Sequence, residues 1–289
     1  MRRESWTNAL ILLMASLVGV AAFAYPFFSP MVASGPTATA HAQDAPLVTL
    51  VLTLLCVIIV VANLTSRQMS ARTVAVLGVL SAVNAVLRAI PGPAGFSAIF
   101  FLLALCGYVY GGTFGFLMGV LSLLVSALIG GGVGPWLPYQ MLSTGWIGLT
   151  SGWLPNLRRW PRAERVLLAT WVALWGFAFG AIMNLWFWPY VSAMQASPGQ
   201  NWEPGLRLYE GLRRYGAFYA TTSLWWDLTR AAGNAALVIF LGGPLIKVLR
   251  RFKHVLGFET APSVAAPCLD NCDGPQHNIA HDAQTTEGG

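Results

Sequence analysis

The sequence is a succession of apolar stretches, most of them close to the ~20 residues that carry a helix across ~30 Å of hydrocarbon. They fall at about 8–28, 47–65, 73–90, 96–110, 113–130, 137–154, 166–188 and 216–246. A backbone in lipid has no water to bond to and must satisfy itself, and runs of this length do so as helices. The expected fold class is therefore all-α and integral to a membrane. The stretch at 96–110 is short and needs protein partners, re-entrance or local thinning, whereas the last is long enough to tilt or extend beyond the bilayer. Only 10% of the 289 residues are charged and 56% are hydrophobic, where a soluble domain carries about 25% charged residues. With a mean hydropathy of +0.60, this argues against a soluble enzyme, a disordered chain, a collagen and a disulfide scaffold. The formal charge of +6 does not indicate nucleic acid, because on such a chain Lys and Arg report orientation.

With the N-terminus inside, the inner segments hold Arg2, Arg3, Arg67, Arg72, Arg158, Arg159, Arg162, Arg165, Lys247, Arg250, Arg251 and Lys253, which is 12 of 17 basic residues. The outer segments hold Arg88, Arg207, Arg213 and Arg214, and Arg230 lies within the last span. This split predicts both termini inside and an even number of spans. The link 189–215 is then external and 155–165 cytoplasmic. Arg2-Arg3, the apolar run and Ala40-His41-Ala42 loosely fit a signal peptide. The run is too long for one and the small-residue site too distant, so an uncleaved anchor is expected.

Cys56 and Cys106 fall in spans, where they read as small buried apolar groups. Cys268, Cys272, His277 and His281 form C-x3-C-x4-H-x3-H in a tail, 258–289, rich in Ala, Pro, Asp, Gln and Gly. The ligand types suit zinc, but the middle spacing fits no common finger, so a disordered cytoplasmic tail without metal is expected. Twelve of the thirty glycines lie between 107 and 152. Gly115-x-x-x-Gly119 and Gly148-x-x-x-Gly152 predict close helix packing within the chain. Gly111-Gly112 reads as a tight turn. The Gly130–Pro138 link is too glycine-rich for a good helix, and irregular backbone at membrane depth is tolerated where it lines a cavity.

Intramembrane polar residues are costly, so each is a functional candidate. Asp227 and Arg230 sit three apart on one helical face and can pair. Two readings stay open: a salt bridge that locks the last helix, or a ligand contact. Asn84, Arg88, Tyr139, Gln140 and Asn184 fall at the same external level. So do many aromatics, among them Trp136, Trp186, Trp188, Trp202, Tyr215 and Tyr219, against Tyr110, Trp153 and Trp160 inside. An interfacial belt accounts for some of them, and the asymmetry favours an external pocket with flat apolar walls. There is no G-x-x-x-x-G-K-[ST] phosphate loop, all four histidines lie outside the spans, and the two halves show no repeat. This disfavours a self-powered pump, an intramembrane protease and an inverted-repeat carrier.

From about 70 to 250 the chain resembles the substrate-binding S component of energy-coupling factor (ECF) transporters. The resemblance is carried by Gly78-Val79-Leu80-Ser81-Ala82 after Arg72, by Gly134-Pro135-Trp136-Leu137-Pro138-Tyr139-Gln140-Met141 and by Thr221–Arg230. The family's Ala-x-x-x-Ala docking motif has Gly78 in its first place here. The resemblance implies a six-helix S-component bundle at 70–257, preceded by two extra N-terminal spans within 1–69. It implies a prokaryotic plasma-membrane subunit, not an enzyme, without cofactor. Its partners are a transmembrane coupling (T) subunit and two ATP-binding subunits, docked on Gly78 and Ala82. Substrate contacts are expected at Asn84, Arg88, Trp136, Tyr139, Gln140, Asn184, Trp188, Trp225, Asp227 and Arg230. The two extra spans are similar to the longer subgroup assigned to cobalamin uptake, so cobalamin is the expected ligand. An autonomous secondary transporter or channel, or a lipid-modifying membrane enzyme, remain the alternatives.

Overall fold

The computed structural model describes residues 6–28, 45–65, 69–90, 92–191 and 199–255. Among these, all regular structure is helical: α1 Trp6–Ala24, α2 Ala45–Thr65, α3 Ala71–Ala89, α4 Ile99–Tyr110, α5 Gly112–Ser126, α6 Leu137–Ser151, α7 Pro161–Val191, α8 Leu208–Thr222 and α9 Leu224–Val255. Short 3₁₀ turns follow α1 (Tyr25–Phe28) and precede α4 (Pro93–Gly95), and a π-helical turn, Ala127–Gly131, continues α5. Six segments are long and apolar enough to cross a membrane: those built on α1, α2, α3, α5 with its π-turn, α7 and α9. The protein is an all-α membrane protein.

The shorter apolar helix α4 owes its place to its neighbours. At a rise of about 1.5 Å per residue, α4 spans only about 18 Å. Eleven of its twelve residues are buried, which is what a helix hydrophobic all round requires. It runs down the middle of the bundle against α5, α6, α7 and α9. Its start lacks a capping side chain, because Ala98 precedes it. Asn234 of α9 supplies the cap: its Oδ1 accepts from the amides of Phe100 and Phe101, both at 3.1 Å. Its Nδ2 donates to the carbonyls of Ser97 and Arg230, both at 2.9 Å. A fully buried amide thus uses every bond it has to seat α4 on α9.

The glycine pairs pack inside the chain, as their spacing predicts. A Cβ on Gly115 would stand 2.3 Å from the Gly148 carbonyl oxygen, and one on Gly148 2.1 Å from that of Gly115. At Gly119 it would meet the Thr144 oxygen at 2.5 Å. Helices α5 and α6 touch backbone to backbone, and α4 joins them through Gly107, 2.2 Å from the Gly148 oxygen by the same construction. Gly111, at φ +108°, makes the tight turn between α4 and α5.

One expected boundary needs correction. The apolar run 216–246 is not one span: α8 ends at Thr222, Ser223 departs from helical geometry (φ −125°, ψ −28°), and α9 begins at Leu224 and continues to Val255. Helix α8 is amphipathic. It buries Phe218 and leaves Leu208, Tyr209, Leu212 and Arg213 exposed, the pattern of a helix lying in the membrane interface. At the opposite end of the bundle α9 is pinned to α4 and α7. Arg250 reaches both carboxylate oxygens of the buried Glu164, and Lys253 Nζ donates to the Val109 carbonyl at 2.7 Å. Tyr108 donates to the same Glu164 at 2.7 Å.

Candidate ligand-binding site

Helices α3 and α5 end, and α4, α6 and α9 begin, around one cavity of about 500 Å³. Its polar wall is Arg88 (α3), Ser97 just before α4, Gln140 and Thr144 (α6) and Arg230 (α9). Its apolar wall includes Ile99, Phe100, Leu123 and Phe179, and Gly130 of the π-turn lies at its edge. That volume suits a drug-sized organic ligand, for which pockets run about 300–1,000 Å³.

Among the described residues, Arg88 is held by neutral groups. Its Nη1 donates to Ser126 Oγ at 3.0 Å and its Nη2 to Gln140 Oε1 at 2.9 Å. Among the described residues, no carboxylate pairs with it. A guanidinium fixed by two acceptors and facing a cavity keeps donors for a carboxylate, a phosphate or another acceptor on a ligand.

Arg230 is different. It pairs with Asp227, and its guanidinium lies 5.2 Å from the centre of the Phe179 ring and 6.0 Å from that of Phe100. Asp227 is 1% exposed. Its second oxygen accepts from Tyr219 of α8 at 2.9 Å. Gly180 of α7 makes room for this carboxylate, since a Cβ there would fall 1.7 Å from Asp227 Oδ2. A helix-locking pair and a cavity wall are therefore the same arrangement: Asp227 locks, Arg230 lines. The Tyr219 hydroxyl, on α8 outside the spans, is pushed well above its ordinary pKa, first by burial and then by its bond to Asp227. Burial does the same to Tyr215, whose hydroxyl donates to the Ala181 carbonyl.

Of the residues expected from sequence, Arg88, Gln140 and Arg230 meet in this cavity, with Asp227 behind Arg230. The others lie elsewhere. Asn84 is fully buried one turn below Arg88, with neither amide atom bonded. Tyr139 is fully buried against Phe23 and Trp186. Trp188 belongs to an aromatic cluster with Trp202 and Phe218, and its indole donates to the Gln200 carbonyl at 2.9 Å. Asn184 donates to Thr222 Oγ1 at 3.0 Å. Trp136 folds back onto Gly134, and Trp225 is exposed. Ser126, Thr144, Phe100, Phe179 and Asn234 were missed. A serine or threonine in an apolar helix usually bonds its own backbone, so no local signal marks those two.

Gly78 and Ala82 stand on the outward face of α3, in a stripe of exposed small and β-branched residues with Ala75, Val79, Val83 and Val86. A Cβ on Gly78 would meet no atom within 4 Å. Among the described residues no cluster of three metal-ligating side chains occurs. The Cys268–His281 tail lies outside them.

Residues 72–242 match the family model described as ECF transporter, substrate-specific component. The chain belongs to that family. No curated protein and no solved structure matches it. The substrate-specific component is a transport subunit, not an enzyme, and works with transmembrane coupling and ATPase subunits. The match begins at α3 and ends within α9, so α1 and α2 lie before it.

Proposed function

We propose that this S component captures a micronutrient at the Arg88 end of the bundle, outside the cell, for ATP-driven uptake by its partner subunits. The observation that carries the reading is Arg88: a guanidinium held by neutral acceptors, with no carboxylate partner among the described residues, on the wall of a cavity of about 500 Å³. The ligand presents an anion or an acceptor-rich edge to Arg88 and Gln140, and apolar surface to Phe100 and Phe179. The charge distribution supports the orientation. Arg158, Arg159, Arg162, Arg165, Lys247, Arg250, Arg251 and Lys253 all lie at the Glu164 end, which the positive-inside rule assigns to the cytoplasm.

Cobalamin is the first candidate, on the resemblance of the extra spans to the cobalamin-type subgroup; its one phosphate suits Arg88. A corrinoid exceeds a drug-sized ligand, so this reading requires a wall to give way. Gly130 and Gly132 supply it: both hold positive φ (+151° and +80°) and neither has an atom within 4 Å of where a Cβ would stand. The exposed α3 stripe around Gly78 and Ala82 is proposed as the docking face for the coupling subunit, because small residues allow close approach without a polar lock.

The test is native mass spectrometry of the protein purified in mild detergent from vitamin-replete cells, with released small molecules identified. A stoichiometric corrinoid supports both function and ligand. Another vitamin keeps the function and discards cobalamin. A protein that comes out empty and binds nothing in a vitamin panel overturns the reading in favour of an autonomous transporter or channel.

A further inference from the structure

Helices α1 and α2 lie outside the residues that match the family model, and α1 packs on α2 and also on α6 of the family core. A Cβ on Gly19 would lie 2.6 Å from Leu142 Cδ1, so α1 approaches α6 closely there. Ser16 Oγ accepts from the Trp146 indole at 3.0 Å. Phe23 meets the Tyr139 ring edge-on at 4.8 Å between centres and the Trp146 ring at 6.2 Å. Beyond it, Phe27 reaches Trp202 at 5.7 Å and Trp188 at 6.1 Å.

The register on α6 gives these contacts their meaning. Tyr139, Leu142 and Trp146 stand at i, i+3 and i+7, one stripe facing α1. Gln140 and Thr144 stand at i and i+4 on the adjoining stripe, facing the cavity. Tyr139 is wedged between Phe23 and Trp186, with none of its surface exposed. A shift of the first turns of α6 toward the α1 side therefore withdraws Gln140 from Arg88.

We propose that α1, with the turn after it, is a brace for the binding site, and that Phe23 is a positioning residue for Arg88, acting through Tyr139 and Gln140. As a statement about ligand binding, this rests on the reading of the Arg88 cavity as the ligand site; as a statement about geometry, it does not. The brace works because Phe23 closes one side of Tyr139 while Trp186 of α7 closes the other, and α5 holds α6 on the far side through the glycine contacts. The first span is then part of the binding machinery and not merely an anchor.

The test uses the full-length protein in detergent and phenylglyoxal, an arginine-selective dicarbonyl, with the extent of reaction at each arginine read by peptide mass spectrometry. Arg230, held by Asp227 and two phenyl rings on α9, is the internal control. Phe23→Ala raises the rate at Arg88 relative to Arg230 by about fivefold, the factor equivalent to losing one edge-to-face aromatic pair. Phe23→Leu, which keeps apolar volume, and Ser16→Ala, which removes only the Trp146 acceptor, give smaller rises and serve if the alanine variant does not fold. General loosening of the bundle speeds both arginines alike and leaves the ratio unchanged. Where the parent retains a vitamin, its dissociation constant rises by a similar factor. An unchanged Arg88-to-Arg230 ratio in the folded variants overturns the brace, whatever the parent binds. A parent that binds no vitamin, with variants that still shift the ratio, overturns the ligand reading and leaves the brace standing.

Discussion

Two glycine-to-alanine substitutions in this chain have opposite signs, and the contrast tests the packing at the site. At Gly180 the new methyl lands 1.7 Å from Asp227 Oδ2 and 2.1 Å from its Cγ. The helices cannot part to make room, because one turn away Gly176 already lies against Ala231, with a Cβ position 2.7 Å from the Ala231 Cα. Asp227 must swing out, which breaks its pair with Arg230 and its bond from Tyr219 together. Separating the partners of a buried ion pair costs about 3–5 kcal/mol, a large part of the ~5–15 kcal/mol that holds a domain folded. At Gly78 the methyl meets no atom within 4 Å. There the change removes only the helix penalty of glycine and stabilises by about 1 kcal/mol. The assay is the unfolding midpoint in mixed micelles of parent, Gly180→Ala, Gly78→Ala and the double variant Gly180→Ala/Asp227→Ala. The two single variants are expected to differ by about 4–6 kcal/mol. Asp227→Ala should absorb most of the Gly180→Ala penalty, since the clash loses its target. A Gly180→Ala protein within about 1 kcal/mol of the parent would refute the reasoning, as would strict additivity in the double variant.

The remaining expectations are narrower. Asn234→Leu leaves the amides of Phe100 and Phe101 without their acceptor and destabilises by about 2–4 kcal/mol, read from the same midpoints, with faster hydrogen exchange confined to the start of α4. Gly78→Leu is expected to spare vitamin binding and abolish uptake, measured by transport in cells expressing the partner subunits; lost binding in a folded protein would contradict the docking face. The neutral Tyr215 and Tyr219 are favoured in the folded protein. Their contribution is fully present below the unfolded pKa of about 10 and fades as pH rises toward their higher folded values. Alkaline titration should therefore release α8 above about pH 10, with phenolate absorbance appearing as the helix undocks. Tyr219→Phe should remove part of that dependence.

Much of the architecture is legible along the chain because lipid imposes strict local conditions. A helix in hydrocarbon must be apolar over its length, and most stretches read from composition coincide with helices to within a few residues. The exception is instructive. Residues 216–222 are apolar enough to extend the following span, and no local feature breaks the run. The break at Ser223 goes with one contact distant in sequence, Tyr215 to Ala181, and with a bond across the break itself, Tyr219 to Asp227. The site is half legible for the same reason. Arg88, Asp227 and Arg230 stand out because charge at membrane depth is rare. Gln140 stands out because it follows a proline-rich, aromatic turn. The walls Phe100, Phe179 and Thr144, and Ser126 that holds Arg88, are ordinary residues of apolar helices, and only the crossing of α3, α4, α5, α6 and α7 gives them a common role. Trp136 and Trp188 show the converse: an aromatic at the interface is as ready to pack on its own chain as on a ligand, and local sequence does not separate the two.

The central claim is that Arg88 receives the ligand, and equilibrium binding to the purified full-length protein tests it most directly. Cyanocobalamin is titrated first and then each vitamin of a panel, against the parent, Arg88→Gln and Asn184→Ala. Arg88→Gln keeps the hydrogen-bonding character of the position and removes its charge. Losing a charge-assisted bond of about 1.5–3 kcal/mol weakens binding roughly tenfold to a hundredfold, whereas Asn184→Ala, away from the cavity, stays within about twofold of the parent. A vitamin bound by the parent and held equally well by a folded Arg88→Gln protein would contradict the claim.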